Sequence, residues 1–209
     1  MRWPQLQQMV QDQPLFETSF LLTGNVTRHQ AQRQLSDWAK AKKIVQLRRG
    51  IYTLPHQNPH PFVVANHLVP ASYVSLQMAL AYYHLIPEHV AVVTSVTTQR
   101  PGRYENKFGR FAYRHITPSL FYGMEYRLLV GNEYAYVATP EKALLDLIHF
   151  RPKGDSPEYI ESLRLQNLEI LDLERLRRLA ARSGKPRLKR AARVIAALAR
   201  REAEEYEPV

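Results

Sequence analysis

Long polar side chains cluster just after Thr27, and their types suit contacts with the edges of nucleic-acid bases. Arg28, Gln32 and Arg33 fall on one side of a predicted helix, together with His29. In a major groove, arginine pairs with guanine and glutamine with adenine, so Arg28, Gln32 and Arg33 are candidate base contacts. His29 is a candidate phosphate contact near the helix start.

A capped helix is expected to carry these side chains. Thr27 is a natural N-cap, and Gln30 three residues later completes a capping box. The other side of the helix is apolar and is expected to pack on a core, because its residues recur at helical spacing. These residues are Ala31, Leu35, Trp38 and Ala39.

A basic hairpin is predicted directly after the helix. Two β-rich runs, Ile44–Leu47 and Ile51–Leu54, are joined by Arg48-Arg49-Gly50. Arg48 and Arg49 are expected to grip phosphate or the minor groove, which positions a protein without reading sequence. Lys42 and Lys43 precede the hairpin and are expected to make peripheral DNA contacts.

Two further helical segments are expected ahead of the capped helix. Together with that helix and the hairpin, they form the elements of a winged helix-turn-helix. One spans 3–12, and the shorter Leu15–Leu22 is closed by the turn Thr23-Gly24-Asn25. Three helices and a two-stranded wing predict a DNA-binding domain over 1–55. One reading helix per molecule predicts two molecules on an inverted-repeat, double-stranded operator.

Prolines mark the expected domain boundary. Pro55–Pro61 contains three prolines in seven residues, a composition typical of a linker. We place this linker at 56–67. The remainder, 68–209, is predicted to be a mixed α+β domain of antiparallel strands with a helical C-terminal tail. The fold class expected for the whole chain is therefore α+β.

Sequence patterns predict the elements of this second domain. Helices are expected around Ser72–Leu85, from the N-cap Thr139 to about Phe150, and in a pair at Asp172–Ser183 and Pro186–Ala203. Strands are expected at Ala91–Thr98, Phe108–Ile116, Tyr126–Val130 and Tyr134–Ala138, with a polar loop at Arg100–Lys107.

The net charge of +10 lies mainly at the two ends of the chain. Eleven basic residues and no acidic one occur from Arg175 to Arg201. This stretch is interpreted as a solvated helix face, a second DNA-backbone surface, or a dock for an acidic protein partner. The candidate residues for such a surface are Arg178, Arg182, Lys189, Arg190 and Arg193.

Several function classes are disfavoured by composition. The chain has no cysteine, which excludes disulfides and thiol chemistry. Its histidines lack the spacing of a metal site, so neither a metal nor another cofactor is expected. Glu105-Asn106-Lys107 matches half of a nuclease signature, but the upstream acid is missing, so no catalytic residue is assigned. A cytoplasmic protein without membrane contact is predicted, because no apolar span or signal peptide is present.

Four segments resemble the AbiEi-type antitoxins of abortive-infection, type IV toxin–antitoxin systems, which are also described as predicted transcriptional regulators. They occur in family order over roughly 20–150. The segments are LRRGIYTL at Leu47–Leu54, SYVSLQMALAYYHLIPE at Ser72–Glu88, FAYRHITPSLFYG at Phe111–Gly123 and ATPEKALLDLI at Ala138–Ile148.

The resemblance implies a winged helix that represses the antitoxin–toxin operon. It also implies a second domain that counteracts a nucleotidyltransferase-like toxin, without a stable complex being assured. A stand-alone transcriptional regulator or a protein-interaction module are the alternatives. Eight residues match the family pattern; most of them are interpreted as packing or capping residues, and none is assigned chemistry. They are Tyr73, Ser75, Ala79, Leu80, Glu141, Lys142, Ala143 and Asp146.

Overall fold

The computed structural model describes residues 1–22 and 26–205. The turn predicted at Thr23-Gly24-Asn25 lies outside the described residues. The chain forms a smaller N-terminal unit and a larger unit built on a six-stranded sheet. The α+β class is therefore confirmed.

The N-terminal unit packs two helices against a three-stranded antiparallel sheet of order β1-β3-β2. Leu6, Leu21 and Leu35 are fully buried in its core. Its elements are α1 (Trp3–Val10), β1 (Phe16–Glu17), a 3-10 helix (Thr18–Leu21), α2 (Arg28–Lys40), β2 (Val45–Arg48) and β3 (Ile51–Thr53).

Two predictions for this unit have different outcomes. The capped helix is confirmed: the Gln30 N–H donates to Thr27 Oγ1 at 3.3 Å, and the Thr27 N–H donates to Gln30 Oε1 at 2.8 Å. The helical segment expected at Leu15–Leu22 is instead the short strand β1 followed by a 3-10 helix. Phe16 stacks on Tyr52, its partner in β3, so pairing with a distant strand overrides the local helical pattern.

The larger unit begins with a helix inside the range expected to be linker. Helix α3 (Pro61–Leu68) covers the second half of 56–67. Pro61 occupies the first helical position, where a missing N–H breaks no hydrogen bond. Phe62, Val64 and Leu68 are buried, so this segment is part of the core.

The sheet is mixed rather than antiparallel as predicted. Its strand order is β6-β7-β5-β4-β9-β8, with β4–β9 and β5–β7 parallel and the other pairs antiparallel. Its strands and helices are β4 (Ser72–Val74), α4 (Leu76–Tyr82), β5 (Val92–Thr97), β6 (Gly102–Asn106), β7 (Gly109–His115), β8 (Met124–Leu128), β9 (Tyr134–Ala138) and α5 (Pro140–Phe150).

Two segment predictions in this unit are wrong. The helix expected at Ser72–Leu85 starts only at Leu76, because Ser72–Val74 pairs with β5 and β9 as a central strand. The loop expected at Arg100–Lys107 contains the edge strand β6, which pairs with β7 through Gly102–Asn106. Its polar sequence suits an edge, where charged side chains discourage pairing with another chain.

A helical layer completes the larger unit. It comprises α6 (Pro157–Ser162), a 3-10 helix (Leu168–Ile170), α7 (Leu173–Arg182) and α8 (Pro186–Glu205). The predicted C-terminal helical pair is thus confirmed, and it packs on α5. Among the described residues, none of the helices combines the length and apolarity that crossing a membrane requires.

The N-cap of α3 makes folding stability sensitive to pH. The Phe62 N–H donates to His60 Nδ1 at 3.1 Å, which requires a neutral ring nitrogen. Burial lowers the pKa of His60 below its ordinary 6.5, although Glu133 opposes this shift. Since the unfolded chain binds the proton more readily, stability is fullest above pH 6.5 and declines as the pH falls below it.

We expect His60→Asn to reduce the pH dependence of the unfolding free energy between about pH 7.5 and 5.5, because asparagine caps without titrating. Urea unfolding at several pH values measures this slope. Burial also lowers the pKa of His149, so His149→Gln should remove a second contribution. A slope that His60→Asn leaves unchanged would contradict the assignment.

Candidate nucleic-acid interface and a buried polar network

The exposed side of α2 carries the predicted base contacts. Arg28, His29 and Arg33 are exposed, whereas Gln32 is half-buried. The opposite side is anchored by Ala31 and Leu35, which are fully buried; Trp38 and Ala39 are partly buried against the same core. The helix is therefore fixed on one side and presents long donors on the other.

The two hairpin arginines have different environments. Gly50, with φ +91°, forms the turn, and Arg49 beside it is exposed. The Arg48 guanidinium instead donates to the Leu68 carbonyl and lies 5.5 Å from the centre of the Tyr104 ring. Arg48 thus joins the hairpin to the larger unit, and Arg49 is the arginine presented to solvent.

Arg28, Arg48 and Arg49 line one open cavity of about 370 Å³ between the start of α2 and the hairpin turn. Glu17 is the acidic residue in its wall. The start of α2 also contributes the positive end of its helix dipole. Such a site favours anions, phosphate included.

Lys42 and Lys43 lie at the other end of α2, where they help to end it. Lys42 adopts a left-handed φ of +56°, and the Lys43 N–H donates to the Trp38 carbonyl at 2.9 Å. The Lys43 ammonium lies 5.5 Å from the Trp3 ring centre. Both side chains are exposed.

The predicted second basic surface is partly occupied by internal contacts. Arg190 pairs with Asp155 at 2.7 Å, and the Arg182 guanidinium lies 4.3 Å from the Tyr122 ring centre. Arg178, Lys189 and Arg193 are exposed, and within residues 26–205 they form no ion pair. All five residues are exposed, and two of them, Arg182 and Arg190, also contact side chains of the larger unit.

A buried ion pair lies at the centre of the larger unit. Its two residues were not expected from the sequence to do more than pack or cap. Lys142 Nζ and Asp146 Oδ1 are 2.5 Å apart, one turn apart on α5, and both side chains are at most 3% exposed. The Tyr73 and Ser75 hydroxyls donate to Asp146 Oδ2 at 2.9 and 2.8 Å. Helix α5 is thereby linked to β4.

Lys142 extends this network toward the segment before β8. Its ammonium donates to the Leu120 carbonyl at 2.9 Å and lies 4.8 Å from the Tyr122 ring centre. Burial and the neighbouring Asp146 carboxylate raise the pKa of Tyr73, which keeps its hydroxyl protonated as a donor. Tyr73, Ser75, Lys142 and Asp146 are all buried, so the network lies in the interior of the larger unit.

Glu141 makes a second link from α5. Its Oε1 accepts the Asp172 N–H at 2.9 Å, and its Oε2 lies 3.9 Å from the guanidinium of Arg175. The start of α7 is thus fixed to the start of α5. The sequence signal that could have indicated this network is a lysine and an aspartate four residues apart, separated by the apolar residues Ala143–Leu145.

The half nuclease signature is not assembled into a site. Glu105 on β6 is exposed, and Lys107 lies over the Phe108 ring, 4.6 Å from its centre. Across the described part of the chain, no group of three histidines or carboxylates converges to hold a metal ion.

Comparison of the chain with protein-family models gives no match, and comparison with curated proteins gives none. The resemblance to AbiEi-type antitoxins accordingly stays a prediction from the sequence.

The buried pair should show strong energetic coupling. Asp146→Asn leaves the Lys142 charge buried without its counterion, which costs about 3–5 kcal/mol of unfolding free energy. In urea unfolding, the double variant Lys142→Met/Asp146→Leu should lose less unfolding free energy than Lys142→Met and Asp146→Leu lose in sum. We expect this difference to be about 0.5–3 kcal/mol.

The exposed pair Glu174–Arg177 on α7 is the matched control. Its coupling, measured with Glu174→Leu and Arg177→Met, should stay below about 1 kcal/mol. Additive effects at Lys142 and Asp146 would show that the buried pair does not hold the unit together.

Proposed function

We propose that the chain is a DNA-binding antitoxin of the type IV class that represses its own operon through an N-terminal winged helix. The observation that carries this proposal is the pairing of an exposed polar helix face, with Arg28 and Arg33, and an exposed hairpin arginine, Arg49. A helix in the major groove beside a phosphate-gripping wing is a common DNA-binding arrangement.

The order of elements supports the proposal. Helix α1, strand β1, a 3-10 helix, α2 and the hairpin β2–β3 follow each other, and β1 closes the sheet against β3. In a winged helix-turn-helix, the last helix before the hairpin reads base edges. Here that helix is α2, with Arg28, Gln32 and Arg33 as its readers.

The hairpin arginines divide their roles in this mechanism. Arg49 grips phosphate and sets the register of α2 in the groove. Arg48 holds the hairpin against the larger unit through the Leu68 carbonyl. One reading helix per molecule leads to two molecules on an inverted repeat.

The larger unit is assigned the antitoxin role that the resemblance implies, against a nucleotidyltransferase-like toxin and without an obligatory complex. The matching residues Tyr73, Ser75, Lys142 and Asp146 meet in one network. Their meeting supports treating the separate segments of the resemblance as one folded unit.

A salt titration of duplex binding tests the repressor role. The DNA upstream of its own gene is compared with a scrambled duplex of equal length. We expect a preference of about a thousandfold or more, with two molecules per fragment. Equal, steeply salt-dependent affinity for both duplexes would refute sequence-specific repression.

Two arginine variants should distinguish base-edge contacts from phosphate contacts. Arg33→Ala should cost about 1–3 kcal/mol of binding free energy and relax sequence preference, because a bidentate guanine contact is lost. Arg49→Ala should weaken all duplexes alike and reduce the salt slope by about one. Arg110→Ala, which removes one exposed cation from β7, is the control. Identical profiles for Arg33→Ala and Arg49→Ala would contradict the division of roles.

A further inference from the structure

An aromatic face lies open on the hairpin formed by β8 and β9. Tyr126, Tyr134 and Tyr136 are 61%, 43% and 50% exposed. The rings of Tyr126 and Tyr134 are stacked, with centres 5.1 Å apart and planes at 18°. The ring centre of Tyr136 lies 4.9 Å from that of Tyr126. We call these three residues the tyrosine platform.

Strand register produces the platform. Tyr126 is directly opposite Tyr136, and Tyr134 is opposite Leu128, so their side chains share one face of the hairpin. The alternate residues Ala135 and Val137 point to the other face and are buried. The tyrosines are therefore not required by the core, and β8 is an edge strand of the sheet.

The platform lines a cavity of about 560 Å³. Phe121 and Met124 add apolar wall, and Asn66 and Ser72 add polar groups. Within the described residues, the buried Ser72 Oγ has no hydrogen-bond partner. An aromatic wall with a few polar groups is typical of a site for a flat, partly polar ligand.

This cavity adjoins the cationic one beside α2. The two share Glu17, His67 and Pro70 in their walls. We refer to the two adjoining cavities together as the groove; its walls include the tyrosine platform, Arg28 and Arg49. Glu17 is the acidic residue along it.

We propose that this groove binds single-stranded nucleic acid, with unpaired bases on the tyrosine platform and phosphates at Arg28 and Arg49. Aromatic stacking combined with a cationic track is the general way in which proteins hold unpaired strands. An apolar peptide or a second copy of the chain could pack on the tyrosines, but neither accounts for the adjoining cations, which favour an anionic ligand. The proposal goes beyond duplex reading, since its stacking residues lie outside α2 and the wing.

The experiment measures binding of full-length protein to oligodeoxythymidine and oligouridine of about 12 nucleotides, by fluorescence anisotropy at fixed salt. Wild-type protein should bind at least one of them, and the comparison of the two distinguishes DNA from RNA. Ultraviolet crosslinking to Tyr126 provides a second readout.

Substitutions at Tyr126 isolate stacking. Tyr126→Ala should weaken binding about 5- to 150-fold, the loss expected for one stacked base. Tyr126→Phe should retain most of the affinity, and Tyr126→Leu should not, because only the former keeps a ring. Val130→Ala, at a residue of the same hairpin that is 78% exposed and outside the groove, is the matched control.

The proposal is overturned if wild-type protein binds neither strand, or if Tyr126→Ala binds them as wild type does. Tolerance of Tyr126→Leu would indicate an apolar docking surface instead. A wild-type dimer that Tyr126→Ala dissociates in sedimentation would assign the platform to a second copy. Tyr126→Ala should leave the affinity for duplex DNA unchanged. Duplex binding therefore tests the repressor role, and binding of single strands separately tests the groove.

Discussion

The ion pair between Lys142 and Asp146 is the interaction on which the larger unit depends. The cost of burying two charges is offset only by close, well-oriented pairing and by hydrogen bonds to the remaining polar atoms of the pair. Here β4 supplies the Tyr73 hydroxyl, the N-cap residue of α4 supplies the Ser75 hydroxyl, and the segment before β8 supplies the Leu120 carbonyl. The pair thereby fixes α5, a central strand and the approach to the edge hairpin at once.

The same requirement shapes the chain around the pair. Gly123 has φ +78°, and a Cβ built there would lie 3.1 Å from Lys142 Cγ. A side chain at this position would therefore crowd the lysine and adopt a strained backbone. Strand β8, which carries Tyr126, starts at the next residue, so the packing around Lys142 adjoins the start of that strand.

The N-terminal unit is held to the larger one by specific contacts. Leu15, Leu47 and Ile51 are buried in the core of the larger unit, and Arg48 reaches the Leu68 carbonyl. These contacts fix the hairpin, and through it the direction in which α2 presents Arg28 and Arg33. Arg48 therefore contributes to orientation even though Arg49 is the phosphate contact in the proposed function.

The sequence by itself determined the elements that local chemistry defines. The capping box at Thr27, the N-cap and proline at the start of α5, and the apolar spacing of α7 and α8 each act within a few residues. The tertiary structure alone decided the parallel pairings, the strand at Gly102–Asn106, the partner of Arg48 and the network around Lys142. Each of these features depends on a partner that is distant in the chain. The local sequence pattern of a segment does not specify which distant segment will satisfy its hydrogen bonds.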